Sequence, residues 1–189
     1  LKDMFIKYIH FIPFRKDGKW YAVIRAVINN LTDKSQLVTL RIKVGEDNTV
    51  SFEDRKLLPD GDTVLEGTFE FPSAVPYTLN NAKLYTMIGT LICDNNPVDD
   101  FIDRVGFREI KISGRDILLN GEKVIIKGVN RHEDYAEFGC AVPIEAMYHD
   151  IELIKSLGAN CIRTSHYPND ERFLDLCDEY GILVWEEAH

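Results

Sequence analysis

The hydrophobic pattern of the chain changes its period near Ile112, and this change constrains the fold more than any other feature of the sequence. Before Ile112, apolar and polar residues alternate in runs rich in Val, Ile, Phe, Tyr and Thr, such as KWYAVIRAVIN, LVTLRIKV and TVLEGTFEFP. Alternation with a period of two predicts β-strands, and the Gly-, Asn- and Asp-containing segments between the runs favour turns. Seven strand-like runs in about 110 residues predict an antiparallel, immunoglobulin-like β-sandwich over residues 1–112.

The second part of the chain has the pattern of an α/β protein. After a short hairpin with its turn at Asn120-Gly121, the segment VIIKGVN (124–130) is almost continuously apolar, which predicts a strand covered on both faces. The segments ANCIRTS and ILVWEEA predict two further strands. A helix precedes each of them. The predicted apolar faces are Ile144, Met147, Ile151, Ile154 and Leu157 in the first helix, and Phe173, Leu174 and Cys177 in the second.

A strand–helix–strand–helix–strand order is the repeat of a parallel sheet. Three strands alone would leave an open sheet edge, so residues 113–189 are predicted to be the truncated start, about three strands, of a (β/α)8 barrel or of a larger doubly wound sheet. The first residue is Leu1 rather than Met, and the chain is therefore expected to be an internal piece of a longer protein.

Composition excludes some classes of function. The 31 acidic and 22 basic residues give a formal net charge of −9, which argues against a nucleic-acid partner. No apolar run approaches the roughly 18 residues that span a bilayer, so no membrane partner is expected. The four cysteines show no close spacing, which predicts buried thiols in a reducing compartment and hence a cytoplasmic protein.

Polar side chains gather where the three predicted parallel strands end. These ends read NRHED (130–134), RTSHYPND (163–170) and EEAH (186–189), whereas the opposite ends carry little chemistry. In parallel α/β folds the carboxyl ends of the strands are where ligands bind. Successive residues of a strand point to opposite faces, so only one of Glu186 and Glu187 can serve a site inside the sheet.

Each of these groups also has a purely structural interpretation. Arg131 and Arg163 could form ion pairs with neighbouring glutamates, His132 could be a core histidine, and Tyr167-Pro168 could be a turn that begins the next helix. Coordination of a metal by His132 and His166 with a glutamate is a weaker hypothesis, because no metal-binding motif is present.

The stretch NCIRTSHYPNDERFLDLCDEYGILVW (160–185) resembles the signature of glycoside hydrolase family 2, and GVNRHED (128–134) resembles the first barrel strand of that family. Two features depart from the family pattern. Glu186 stands where many members have Asp, and PYTLNNAKLY lacks the tryptophan that is common before the family's P-x-L-Y.

The resemblance implies a retaining exo-β-glycosidase of β-galactosidase or β-glucuronidase type, with a carbohydrate substrate and a homo-oligomeric full-length enzyme. It assigns substrate binding to His132, His166, Arg163 and Glu187. It places the acid/base and nucleophile glutamates beyond His189, together with the magnesium ligands of β-galactosidases, so this chain is expected to hold neither a catalytic pair nor a cofactor. The competing hypothesis is a non-catalytic carbohydrate-binding or interaction sandwich, in which Trp20 and Tyr21 would stack on sugars.

Overall fold

The computed structural model describes residues 2–188 as a mostly β protein with two helices. The chain divides into two compact units. The first runs to Pro76 and resumes at Leu84–Glu109, and the second consists of Tyr77–Lys83 and the chain from Ile110 onwards. None of the helices among the described residues is long and apolar enough to cross a membrane.

The described residues of the first unit form seven antiparallel strands in two sheets. The strands are β1 (Met4–Lys16), β2 (Lys19–Asn30), β3 (Gln36–Val44), β4 (Asn48–Leu57), β5 (Gly61–Glu70), β6 (Tyr85–Cys93) and β7 (Asn96–Val105). One sheet has the order β1-β2-β5 and the other the order β4-β3-β6-β7. The alternation that predicts strands is also the alternation of burial, as in β3, where every second side chain from Val38 to Val44 is buried.

The two sheets of the first unit share one hydrophobic core. Ile24 of β2 and Leu40 of β3 are both fully buried in it. Trp20 is only 6% exposed, and its ring meets that of Phe107 edge to face with centroids 5.8 Å apart. The Tyr21 hydroxyl donates a hydrogen bond to Glu70. Trp20 is therefore a core residue, and its ring is not available to stack on a sugar as the binding-module hypothesis requires.

From Ile110 onwards, the strands of the second unit are β8 (Ile110–Ser113), β9 (Asp116–Leu119), β10 (Glu122–Val124), β11 (Gly128–Arg131), β12 (Cys161–Thr164) and β13 (Leu183–Glu186). The first three form an antiparallel meander, and the last three form a parallel sheet of order β11-β12-β13. Asn120 and Gly121 both have positive φ and form the tight turn between β9 and β10, which confirms the predicted hairpin.

Helices α1 (Ile144–Ser156) and α2 (Glu171–Tyr180) connect the parallel strands. The Asp170 side chain caps α2 by accepting a hydrogen bond from the Arg172 backbone, and Gly181 ends it in the left-handed conformation, with φ 69°. The buried face of α1 consists of Met147, Ile151 and Ile154, and that of α2 consists of Phe173, Leu176 and Cys177.

Several local predictions are wrong. Leu157 lies past the last turn of α1 and is 74% exposed. Leu176, three residues after Phe173, belongs to the stripe of α2 in place of Leu174. The first parallel strand is only Gly128–Arg131, and the Ile125 side chain before it is exposed. Cys140 is exposed, while the other three cysteines are buried as expected.

Candidate functional site

The candidate site lies at the carboxyl ends of β11, β12 and β13. The parallel register places Asn130 beside Arg163 and Arg163 beside Trp185, so the three strands end at one edge of the sheet. The residues that follow each strand therefore meet there. The backbone N–H of Glu187 donates to the Thr164 hydroxyl at 3.3 Å, which ties the exit of β13 to the end of β12.

Arg163, His166 and Glu187 form one connected polar cluster. The Nε and Nη2 atoms of Arg163 donate to Glu187 Oε1 at 2.8 and 2.5 Å. The second carboxylate oxygen of Glu187, Oε2, lies 2.7 Å from His166 Nδ1. The Glu187 side chain is 24% exposed, that of Arg163 40% and that of His166 58%. One partly buried carboxylate thus orients an arginine and a histidine that both reach solvent.

Charge and hydrogen bonding in this cluster define the protonation of two groups. His166 first, and Arg163 next, lower the pKa of Glu187, which is therefore ionised. An ionised carboxylate can only accept, so the His166 Nδ1 atom carries the proton. The Nη2 atom of Arg163 lies 3.2 Å from His166 Nδ1, but it cannot donate a hydrogen bond to a nitrogen that already carries a proton. The second ring nitrogen of His166, Nε2, is the one that does not face Glu187.

His132 stands at the exit of β11 and is exposed, which rules out the alternative interpretation of it as a core histidine. Strand alternation explains this, because Arg131 and Glu133 on either side point to the buried face. The His132 ring meets the His166 ring edge to face, with centroids 5.4 Å apart, and lies 6.4 Å from the Tyr167 ring. The four residues predicted to bind substrate therefore lie together. Glu187 rather than Glu186 makes the contacts with the cluster.

Arg131 belongs to a second, buried network beneath these groups, as its structural interpretation predicts. Its Nε atom donates to Asp150 Oδ2 at 2.8 Å, and its Nη1 atom donates to Asn169 Oδ1 at 2.8 Å and to Glu133 Oε1 at 3.3 Å. The Tyr135 hydroxyl donates to the other oxygen of Asp150, and this bond raises the pKa of Tyr135.

Sequence reasoning missed Asp150 and Asn169 as members of this network. Asp150 carried a signal: it falls between Met147 and Ile151 on the apolar face of α1, where an acidic residue requires a buried partner. Asn169 carried no comparable signal, because the sequence does not indicate which side of the loop after β12 is buried.

Metal binding finds no support in the part of the chain that the structure describes. Among residues 2–188, no three His, Cys, Asp or Glu side chains come together in a way that could hold a metal ion. His189, the third histidine of the predicted rim, lies outside the described residues.

A parallel β-α-β-α-β sheet with polar side chains gathered at its carboxyl ends is typical of the (β/α)-barrel class. Comparison with known proteins agrees, because residues 110–189 match the TIM barrel domain of the glycosyl hydrolases family 2. Residues 110–189 therefore belong to glycoside hydrolase family 2.

Individual relatives cover the chain more widely. A β-galactosidase of Streptococcus thermophilus is 40% identical over 130 residues, which is 69% of this chain and 13% of the relative. The crystal structure of a GH2 β-galacturonidase from Eisenbergiella tayi bound to galacturonate superposes with a TM-score of 0.92 and 44% identity over 100% of this chain and 34% of that one. A β-glucuronidase of Parabacteroides merdae gives a TM-score of 0.81 with 28% identity, covering 98% of this chain and 24% of that one. The chain thus spans 13% of the length of the S. thermophilus relative.

Proposed function

We propose that the chain is part of a retaining exo-β-glycosidase that removes terminal β-linked sugars, and that it contributes a portion of the sugar-binding site. In this proposal residues 1–112 are an immunoglobulin-like sandwich and residues 113–189 are the first three strands of a (β/α)8 barrel. The acid/base and nucleophile glutamates are assigned to positions after His189, as the resemblance implies. The sugar-binding residues are His132, His166, Arg163 and Glu187.

The observation that carries the proposal is the joined cluster of Arg163, His166 and Glu187 at the ends of β12 and β13. Sugar hydroxyls both donate and accept hydrogen bonds. The half-buried Arg163 guanidinium supplies a fixed donor, and the His166 ring, held at Nδ1 by Glu187, presents Nε2 as its second polar atom. Because Glu187 holds both side chains, little conformational entropy is lost when a sugar binds.

Similarity favours a substrate of galacto configuration. The S. thermophilus relative is a β-galactosidase, and the E. tayi structure is a β-galacturonidase bound to galacturonate. Galactose and galacturonate share an axial hydroxyl at C4 and differ only at C6. We therefore propose a terminal β-galactosyl or β-galacturonosyl group as the substrate class.

Binding tests this proposal on the 189-residue chain. Methyl β-galactoside and methyl β-galacturonoside are titrated into the protein and followed by NMR. At about −0.3 kcal/mol per non-hydrogen atom, a monosaccharide of roughly twelve such atoms gives a Kd in the millimolar range. We expect Arg163→Ala and His166→Ala to abolish measurable binding. Arg172→Ala, which breaks an exposed ion pair with Asp170, is the matched control and should bind normally.

Hydrolysis tests the assignment of the catalytic glutamates. The chain is incubated with chromogenic β-galactosides and β-galacturonosides, beside a version extended through the remaining barrel strands. We expect turnover only from the extended version. Turnover by the 189-residue chain would contradict the assignment of both glutamates to later positions, and no turnover by the extended protein would contradict the glycosidase proposal.

A further inference from the structure

His132 lies between two buried charged residues. The side chains of Arg131 and Glu133 are 6% and 8% exposed, whereas His132 is exposed. Burying a guanidinium and a carboxylate is unfavourable unless both are paired and hydrogen-bonded. Ending a strand does not require two buried charges. The contacts of Arg131 and Glu133 therefore indicate the role of this pair.

The Arg131 guanidinium is held from several directions. Asp150 of α1 and Asn169 of the loop after β12 each accept a hydrogen bond from it at 2.8 Å. The Phe173 ring of α2 lies against it, with the guanidinium carbon 3.8 Å from the ring centroid. Within residues 2–188, its Nη2 atom has no hydrogen-bond partner. Arg131 therefore fixes the exit of β11 against both helices and the neighbouring loop.

Glu133 and the backbone complete this connection between the two loops. Glu133 Oε2 accepts from the Asp170 backbone N–H at 2.9 Å, and the Glu133 backbone N–H donates to the Tyr167 hydroxyl at 3.1 Å. The Arg131 carbonyl accepts from the Ser165 backbone N–H at 2.9 Å. Three hydrogen bonds thus flank His132 on one loop and reach the residues around His166 on the other.

We infer that the buried Arg131–Glu133 pair is a positioning device: it sets the separation and orientation of the His132 and His166 rings. The inference deepens the proposed function and rests on it for the effect on sugar binding. His132 makes its ring contacts with His166 and Tyr167. The placement of its ring therefore depends on how the backbone between Arg131 and Glu133 is held.

The alternative is that the pair stabilises the fold and has no effect on the histidines. Arg131→Lys distinguishes the positioning role from a purely stabilising role. Lysine keeps the positive charge but lacks the planar guanidinium that reaches Asp150 and Asn169 together. Glu133→Gln is a second variant, which keeps the size of the side chain and removes its charge. Tyr77→Phe is the matched control: it removes a hydrogen bond of a buried residue to the Asp178 carbonyl, elsewhere in the same unit.

The experiment records the imidazole NMR signals of His132 and His166 in the 189-residue chain and its three variants. Titrations with methyl β-galactoside and methyl β-galacturonoside follow. We expect both ring signals to shift or broaden in Arg131→Lys and Glu133→Gln and to be unchanged in Tyr77→Phe. We expect the Kd to rise on the order of tenfold, which corresponds to about 1.4 kcal/mol.

Ring signals in both variants that match the control would overturn the inference. If the wild-type chain binds neither sugar, the proposed function fails for this chain while the ring signals still decide the positioning role. If the wild-type chain binds and the variants bind equally well with unshifted rings, only the positioning role is refuted.

Discussion

Replacing Gly181 by alanine should destabilise the second unit far more than the same change at Gly158. Both glycines follow a helix and have positive φ, 69° for Gly181 and 72° for Gly158. They differ in their surroundings. A Cβ atom at Gly181 would lie 2.3 Å from the Leu79 carbonyl oxygen and 2.9 Å from its carbon, whereas a Cβ atom at Gly158 would meet nothing within 4 Å.

The expected magnitudes follow from these distances. The left-handed conformation costs an L-residue about 1–2 kcal/mol, and the smaller unfolded-state entropy of alanine returns about 0.4–1 kcal/mol. Gly158→Ala should therefore lower the free energy of unfolding by about 1 kcal/mol. Gly181→Ala adds a clash with backbone that cannot rotate away, worth about 1–3 kcal/mol more. Its total is about 2–4 kcal/mol.

Hydrogen exchange of the α2 amides is the appropriate assay, because it reports on this unit separately from the strands of the first. At about 1.4 kcal/mol per factor of ten, Gly181→Ala should speed exchange in α2 roughly 30- to 1000-fold, against about fivefold for Gly158→Ala. Equal effects of the two substitutions would refute the reasoning, since they would mean that Leu79 does not approach Gly181.

Three further predictions use other residues. The Arg172 side chain and backbone N–H lower the pKa of Asp170 from 3.8 to about 2. As a helix cap, the Asp170 carboxylate contributes about 1 kcal/mol to stability. This contribution is complete above pH 3.8, the pKa in the unfolded chain, and is lost as the pH falls towards 2. Acid titration of Asp170→Asn by circular dichroism should lack this loss. Iodoacetamide should label the exposed Cys140 in the native protein, as judged by mass spectrometry. It should spare Cys93, Cys161 and Cys177, because these thiols are buried and burial raises their pKa values. Early labelling of a second thiol would contradict this prediction. Phe173→Leu should destabilise α2 by about 2–3 kcal/mol, measured by urea unfolding, because it removes the ring beneath Arg131.

The sequence predicts elements better than it predicts their faces. Period-two alternation identifies β3 because β3 has one buried and one less buried side. The apolar run from Val124 to Asn130 has no period, and such a run cannot distinguish buried from exposed chain; Ile125 is in fact exposed. In α2, Leu174 and Leu176 are both apolar, and only tertiary packing determines which of them faces the core.

The candidate site was predictable in its location and less so in its connections. The carboxyl ends of parallel strands meet because of topology alone, which brings residues near 132, 166 and 187 together. Which glutamate pairs with Arg163 depends on how the chain leaves β13, and no local pattern encodes that direction. Arg131 donates to Asp150 and Asn169, which are 19 and 38 positions away along the chain. Glu187 contacts His166 and Arg163, which are 21 and 24 positions away, and only the fold can pair residues so far apart.

Tyr77–Lys83 separates from its sequence neighbours and joins the second unit. Tyr77 is fully buried, accepts a hydrogen bond from the Asn120 side chain on its carbonyl, and donates one to the Asp178 carbonyl. The family match at residues 110–189 leaves this segment out. A recombination event that exchanged residues 110–189 between two relatives would therefore carry over only one partner of each of these contacts. We expect chimaeras to fold well only when Tyr77–Lys83 is exchanged together with residues 110–189, although the two segments are separate in the gene.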